Sequence, residues 1–140
     1  MSLLDPNEDV LSQAPTKIAE IFQLFGLPSD ALTRLSTFTD LAQSVANADL
    51  VIEAGPEKLA VKRSIFNELA KHTSKDCILA TNTSAIPISD IAQGINHPER
   101  IVGAHFWNPR TLCAWSKWYK GSKAVWPLLL HASNYSTALG

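Results

Sequence analysis

An apolar run that stops abruptly at polar and aromatic residues constrains the fold of this chain most. The run covers residues 101–104, and His105-Phe-Trp-Asn-Pro109 follows it at once. A short apolar run with a glycine inside is typical of a strand buried on both faces, with another group close to the backbone at the glycine. In an open α/β sheet, ligands bind in the crevice beyond the carboxyl ends of the strands. His105 lies at such an end, so we interpret it as the candidate catalytic residue.

Two further buried strands are predicted upstream, over residues 49–54 and 77–80. A helix is predicted between them over residues 57–72, with one apolar face that contains Val61, Ile65, Phe66 and Leu69. A short helix is predicted over residues 87–93. Strands that alternate with helices favour right-handed βαβ crossovers and a parallel sheet, so the predicted class is α/β.

The beginning of the chain gives weaker signals. It predicts a strand that ends at Asp5, and then a helix whose apolar residues keep helical spacing from Val10 to Phe25. Pro15 inside that helix favours a kink or a restart. A weak strand within residues 32–38 and a short helix over residues 40–46 complete the prediction.

Composition and charge limit the classes of function. A length of 140 residues allows one domain. A formal net charge of -1 provides neither a basic field for nucleic acid nor a polybasic membrane patch, so neither partner is expected. Cys77 and Cys113 form no metal-ligand spacing and no disulfide framework, which favours no metal site and a reducing, cytoplasmic location. The first residues show no signal-peptide pattern.

Three motifs, in this order and spacing, carry a family resemblance. They are Asp49-Leu-Val-Ile-Glu-Ala-Gly-Pro-Glu57, Ala80-Thr-Asn-Thr-Ser84 and His105-Phe-Trp-Asn-Pro109. Together they resemble the NAD-binding domain of 3-hydroxyacyl-CoA dehydrogenases, including the 3-hydroxybutyryl-CoA members. The resemblance implies oxidation of a 3-hydroxyacyl-CoA to a 3-ketoacyl-CoA in fatty-acid or butanoate metabolism, with hydride passing to NAD. It also implies a parent enzyme with a helical C-terminal domain that forms a homodimer.

The resemblance assigns catalytic roles to three residues. His105 matches the general base, a task that suits imidazole because its pKa lies near working pH. Ser84 and Asn108 match positions that hold the substrate oxygen and the nicotinamide end of the cofactor. The alternatives are structural: Ser84 could cap the short helix that follows it, and an asparagine before a proline is ordinarily a turn residue.

The resemblance also places three residues near the cofactor. Asp5 matches the acid whose carboxylate accepts hydrogen bonds from the adenosine ribose hydroxyls. Glu57 and Lys62 match further positions near NAD. The structural alternatives are that Asp5 is a helix-capping residue, and that Glu57 and Lys62 are solvated charges in the first turns of a helix.

Two departures from the family pattern shape our expectations. The family places a strand and a G-x-G-x-x-G turn before the strand that ends at Asp5, and neither is found in this sequence. That turn binds pyrophosphate through backbone amides and a helix N-terminus. We therefore expect an incomplete Rossmann-type parallel sheet that lacks its first strand and Gly-rich turn. Two inner strand edges would be left unpaired, which is costly.

The second departure begins after Pro109. The family has a glutamate that orients the base, and counting from His105 places it at position 117, which is Lys117. Residues 110–140 contain no Asp or Glu and three of the four Trp. Our hypothesis is a one-base loss near codon 110, which would make residues 1–109 a partial NAD-binding domain. Residues 110–140 would then be a frame-shifted, poorly ordered tail without the family pattern.

These departures predict that the chain is an inactive fragment of the dehydrogenase. Two alternatives stay open. One is a non-catalytic remnant that associates with a partner chain. The other is a related Rossmann dehydrogenase that acts on a hydroxy compound that is not a CoA ester.

Overall fold

The computed structural model describes residues 1–106 and the backbone of residues 116–120, in two compact units, Met1–Ala46 and Asn47–Gly140. The elements of the first unit are β1 (Ser2–Leu4), α1 (Glu8–Leu24), a 3-10 helix (Ser29–Arg34), β2 (Ser36–Phe38) and α2 (Leu41–Val45). β1 and β2 pair in parallel. α1 is the longest helix in the described residues, and none of the helices there is long and apolar enough to cross a membrane.

The local chemistry of the first unit explains where its elements begin and break. The Asn7 side chain accepts a hydrogen bond from the Asp9 backbone N–H, which caps α1. The helix continues through Pro15, so the predicted restart there is wrong. The predicted weak strand is found only at Ser36–Phe38. Its first part is 3-10 helix, in which the Thr33 hydroxyl donates to the Asp30 carbonyl in a local turn.

The second unit contains the sheet that carries the candidate site. Its elements are β3 (Leu50–Glu53), α3 (Leu59–His72), β4 (Ile78–Thr81), α4 (Ile88–Ala92), a 3-10 helix (Pro98–Arg100), β5 (Ile101–Phe106) and β6 (Ser116–Lys120). The strand order is β3-β4-β5-β6, and the first three strands are parallel. The predicted α/β class with parallel strands is therefore confirmed.

The core of this unit consists of the strand residues that the sequence predicted to be buried. All four residues of β4 are buried, and α3 and α4 add buried apolar side chains to the same unit. The fully or nearly fully buried members include Phe66, Leu69, Ile78, Leu79, Ile91, Ile101 and Val102. Burial of each large apolar side chain contributes roughly 1.5–3 kcal/mol to the stability of the fold. The carboxyl ends of β4 and β5 are therefore supported by a buried apolar core.

Arg100 connects the end of α3 to the beginning of β5. Its buried guanidinium donates to the carbonyls of Ala70 and Ser74 and to the Thr73 hydroxyl. These acceptors lie at the C-terminus of α3, where backbone carbonyls lack helical partners. Burial lowers the pKa of Arg100 from its ordinary value.

β6 lies within residues 110–140, for which the sequence analysis identified no helix or strand. It pairs antiparallel with β5, and His105 lies opposite Lys117 in the register. Without β6, the backbone groups along that edge of β5 would have no strand partner, which favours pairing even by an unpatterned segment. The other predictions for residues 110–140 are a domain boundary, a frame shift and poor order. Apart from β6, these residues lie outside the described part of the chain, so these stay predictions.

Both sheets end in strands that pair on one side only among the described residues. Within the described residues, β1 pairs only with β2, and β3 pairs with β4 and no other strand. On β3, the apolar side chain of Ile52 is 38% exposed. The absence of a first strand stays a prediction.

Candidate active site

Ser84 and His105 meet at the carboxyl ends of two neighbouring parallel strands. Ser84 follows β4 and His105 is the fifth residue of β5, so the sheet brings both to one edge. The Ser84 Oγ lies 3.0 Å from the His105 Nε2. When Nε2 carries no proton, the hydroxyl donates to it, and the imidazole is in the state that can accept a proton. Two residues that are separate in the sequence thus form one pair.

Glu57 holds the segment that contains Ser84. Its Oε1 accepts hydrogen bonds from the Thr83 hydroxyl, the Ser84 N–H at 3.0 Å and the Ala85 N–H at 3.1 Å. Desolvation of the carboxyl raises its pKa, but the Thr83 hydroxyl, the two backbone amides and the Lys62 ammonium outweigh this and lower the pKa to about 2. Glu57 is therefore an anion at neutral pH.

Lys62 is completely buried beside this carboxylate. Its Nζ lies 3.0 and 2.9 Å from the two carboxylate oxygens of Glu53, and 3.5 Å from the Glu57 Oε2. It also donates to the Gly55 carbonyl at 3.3 Å. The structural alternative that made Lys62 a solvated charge is wrong, because its side chain is 0% exposed. A buried ammonium of this kind is tolerated because carboxylates and a carbonyl surround it.

Glu53 is a site residue that the sequence analysis missed. It is buried at the end of β3, where its Oε2 accepts from the Thr81 hydroxyl and its Oε1 from the Gly55 N–H, each at 2.6 Å. Two signals in the sequence could have identified Glu53 and Lys62 as a buried ion pair. Glu53 is an acid at the end of an apolar strand. Lys62 lies four and seven residues before Phe66 and Leu69, the core residues of α3, and therefore on the same face of the helix. Both positions indicate charges that need buried partners.

Asn82 joins the ends of three strands, and it too was not singled out. It follows β4, and its N–H donates to the Glu53 carbonyl on β3 at 2.7 Å. Its Oδ1 accepts from the Phe106 N–H on β5 at 2.8 Å. The side chain and backbone of one residue therefore fix the edge on which Ser84 and His105 meet.

The other two predicted site residues are Asp5 and Asn108. Asp5 belongs to the first unit, where its Oδ1 accepts from the Asn7 N–H at 2.8 Å, as a helix-capping turn does. Its Oδ2 makes no hydrogen bond to any described residue, and an acid at a strand end with one oxygen available fits the ribose of NAD. The sequence contains no G-x-G-x-x-G for the pyrophosphate. Asn108 lies outside the described residues.

Comparison with known proteins identifies the family. The model of the 3-hydroxyacyl-CoA dehydrogenase NAD-binding domain matches residues 1–115. The chain belongs to this family. The resemblance of the three motifs is therefore confirmed, and NAD is the cofactor for which the domain family is named. The match ends at residue 115, six residues beyond Pro109. The domain boundary after Pro109 stays a prediction.

Relatives of the dehydrogenase domain include three informative proteins. The chain is 49% identical over 78 residues to the 3-hydroxyadipyl-CoA dehydrogenase of Escherichia coli (strain K12), covering 56% of this chain and 16% of the relative. A 3-hydroxybutyryl-CoA dehydrogenase structure, also from E. coli K12, has a TM-score of 0.91 and 32% identity, covering 98% of this chain and 30% of that one. The third is the 5-formyl-3-hydroxy-2-methylpyridine 4-carboxylate 5-dehydrogenase of Mesorhizobium japonicum, 37% identical over 83 residues, covering 59% of this chain and 27% of the relative. The chain thus spans less than a third of each.

Proposed function

We propose that this chain is the NAD-binding part of an NAD-dependent 3-hydroxyacyl-CoA dehydrogenase, which oxidises a 3-hydroxyacyl-CoA to a 3-ketoacyl-CoA. The observation that carries the proposal is the 3.0 Å contact between the Ser84 Oγ and the His105 Nε2 at the carboxyl edge of the sheet. An alcohol oxidation needs a base for the hydroxyl proton and a donor that holds the oxygen, and this pair supplies both.

The pair defines the mechanism. A substrate oxygen within hydrogen-bond reach of both side chains accepts a hydrogen bond from the Ser84 hydroxyl and gives its proton to the His105 Nε2. NAD supplies the hydride acceptor when it is bound. Asp5 would hold its adenosine ribose, and Asn108 would act at the nicotinamide end with Ser84. Glu57 contributes negative charge beside the Ser84 segment.

We also propose that the 140-residue chain does not turn over by itself. Position 117, opposite His105 in the β5–β6 register, is lysine where the family pattern has the glutamate that orients the base. The sequence also lacks the G-x-G-x-x-G that binds pyrophosphate. Activity is therefore assigned to a longer parent enzyme, cytoplasmic and homodimeric, whose substrate is a 3-hydroxyacyl-CoA and which needs no nucleic acid or membrane partner.

NADH formation with 3-hydroxybutyryl-CoA tests this proposal in the parent enzyme. We expect His105→Gln to lower kcat by roughly 10²–10⁴-fold, because glutamine cannot accept the proton. His72→Gln is the matched control, because His72 lies on the exposed side of α3 and should leave the rate unchanged. An unchanged rate in His105→Gln would contradict the assignment of the base. Turnover by the 140-residue chain would overturn the proposal that it is inactive.

A second candidate is a dehydrogenase whose hydroxy substrate is not a CoA ester. The M. japonicum relative favours it, because the compound in its name is a pyridine carboxylate. Comparison of kcat/KM for the free acid and the CoA ester of one hydroxy compound separates the two. A higher value for the free acid would support this candidate.

A third candidate is a non-catalytic remnant that associates with a partner chain. The strand edges of β1 and β3 that have no partner in the described residues favour it, because an extended segment can add to such an edge. The exposed Ile52 lies on β3. A stoichiometric partner that stays bound during purification would support this candidate, and a stable monomer would contradict it.

A further inference from the structure

Contacts between charged groups lead from the interior of the second unit to the Ser84–His105 pair. The Lys62 Nζ lies between two carboxylates, 2.9 Å from the Glu53 Oε2 and 3.5 Å from the Glu57 Oε2. The other oxygen of Glu57 accepts the donors of residues 83–85. The Ser84 hydroxyl then reaches His105. Glu57 therefore uses one carboxylate oxygen toward the buried lysine and the other toward the candidate catalytic segment.

The segment after β4 is arranged around that second oxygen. The N–H groups of Ser84 and Ala85 are consecutive and point to the same atom. Consecutive amides of this kind form a concave site that attracts an anion, and here the anion belongs to the chain itself. The Thr83 hydroxyl donates to the same oxygen and accepts from the Ile86 N–H at 3.1 Å. The conformation of Thr83–Ile86 thus depends on a carboxylate at this point.

The acceptors recorded around Lys62 all belong to the chain itself. Acceptors of Glu53, Gly55 and Glu57 surround an ammonium that has three N–H groups, and the side chain is 0% exposed. Its position suits a fixed counter-charge that holds Glu57 in place from the buried side.

We propose that Glu57 is a positioning residue for the Ser84–His105 pair, and that the buried ion pair of Lys62 and Glu53 fixes Glu57 from the interior of the unit. The proposal rests on the proposed function for its catalytic meaning, because it deepens the roles of Ser84 and His105. It assigns to Glu57, Lys62 and Glu53 a structural task at this segment, in addition to the positions near NAD that the resemblance implies for Glu57 and Lys62. Without the Glu57 anion, residues 83–85 relax and the Ser84 hydroxyl no longer stays at the His105 Nε2.

Nuclear magnetic resonance of the ¹⁵N-labelled 140-residue chain tests the proposal without substrate or cofactor, so absence of turnover does not affect the result. One readout is the exchange protection of the Ser84 and Ala85 amides, and the other is the ¹⁵N shift of the His105 Nε2. In Glu57→Gln we expect protection to fall roughly ten- to hundredfold, since bonds to a charged acceptor are lost, and the Nε2 shift to change. Glu68→Gln, on the exposed part of α3, is the matched control and should change neither.

A second pair of variants keeps the test decisive if Glu57→Gln does not fold. Thr83→Ala removes one donor to the Glu57 Oε1 and should lower the protection of the Ser84 and Ala85 amides. Thr83→Ser keeps the hydroxyl and should restore both the protection and the His105 Nε2 shift. Wild-type values of both readouts in Glu57→Gln, or in Thr83→Ala, would overturn the proposal. A change in amide protection with an unchanged Nε2 shift would also overturn it, because Glu57 would then support the loop without positioning the pair.

Discussion

Lys62 and Glu53 form an ion pair that is almost wholly removed from solvent, with the Lys62 Nζ 2.9 Å from the Glu53 Oε2. The pair links the first turns of α3 to the end of β3, and Thr81 and Gly55 complete the hydrogen bonds of the carboxylate. Such a pair adds little net stability compared with apolar residues, but the loss of one partner leaves an uncompensated buried charge. The site is therefore sensitive to changes that lie away from Ser84 and His105.

Lys62→Met should lower the free energy of unfolding by about 3–5 kcal/mol, because Glu53 then stays buried without its cation. Urea denaturation measures the change. Lys71→Met is the matched control on the same helix, since Lys71 pairs with Glu68 at the surface and should contribute less than about 1 kcal/mol. Equal stability of Lys62→Met and wild type would contradict the buried pair.

Acid should destabilise the fold through Glu57. Its pKa in the folded chain is about 2, below the ordinary value of 4.5, so the unfolded chain binds the proton more readily. The resulting stability is fully present above pH 4.5 and is lost as the pH falls from 4.5 to about 2. Because the side chain is 42% exposed, solvent screening limits the effect to on the order of 1 kcal/mol. Urea denaturation over this range should show a smaller pH dependence in Glu57→Gln, and an identical pH dependence would contradict the prediction.

Gly55→Ala should disturb the buried carboxylate directly. A Cβ at this position would lie 3.0 Å from the Glu53 Oε1 and 3.2 Å from the Ile65 Cδ1. We expect a loss of roughly 1–3 kcal/mol in thermal or urea unfolding, together with weaker protection of the Ser84 amide.

Gly94→Ala separates crowding from backbone strain in that experiment. Gly94 has a φ of +79° and nothing within 4 Å of an added Cβ, so its substitution costs about 1 kcal/mol through the backbone alone. It should leave the Ser84 amide unchanged. If both variants changed that amide equally, crowding at Glu53 would not be the cause.

Arg100→Met should uncouple the end of α3 from the beginning of β5. The carbonyls of Ala70 and Ser74 lose their donor, which should cost roughly 2–4 kcal/mol in urea denaturation. Arg100→Lys should recover only part of this, because an ammonium cannot reproduce the planar fork of the guanidinium. Arg34→Met, at an exposed position, is the control and should change stability by less than about 0.5 kcal/mol. Full recovery in the lysine variant would contradict the role of the fork.

The sequence was sufficient to predict the elements around the site. The apolar runs before Glu53, Thr81 and His105 correspond to β3, β4 and β5, with ends that differ by only one or two residues. Buried parallel strands are nearly continuous in apolar residues, so their pattern needs no tertiary information. The same runs put Ser84 and His105 at the carboxyl ends of neighbouring strands, but the contact between the two side chains was not predicted.

The polar interactions beneath the site could not be predicted in the same way. Helical position alone placed Lys62 among solvated charges, whereas its burial depends on Glu53, which is nine residues away on another element. The strand Ser116–Lys120 was likewise missed. Its sequence has no strand pattern of its own, and it pairs with the edge of β5. Both features arise from long-range partners, which local propensity does not describe.

The arrangement of Asn82 decides which parts of the site are able to adjust. Its backbone N–H and its side-chain Oδ1 clamp the ends of the two flanking strands at 2.7 and 2.8 Å. Sliding of β3 past β4 would break the first of these interactions, and sliding of β5 past β4 would break the second. The strand ends therefore form a rigid surface for a bound molecule. A local change of conformation on this edge is expected in the short turn Thr83–Ile86. The conformation of that turn depends on one oxygen of the Glu57 carboxylate.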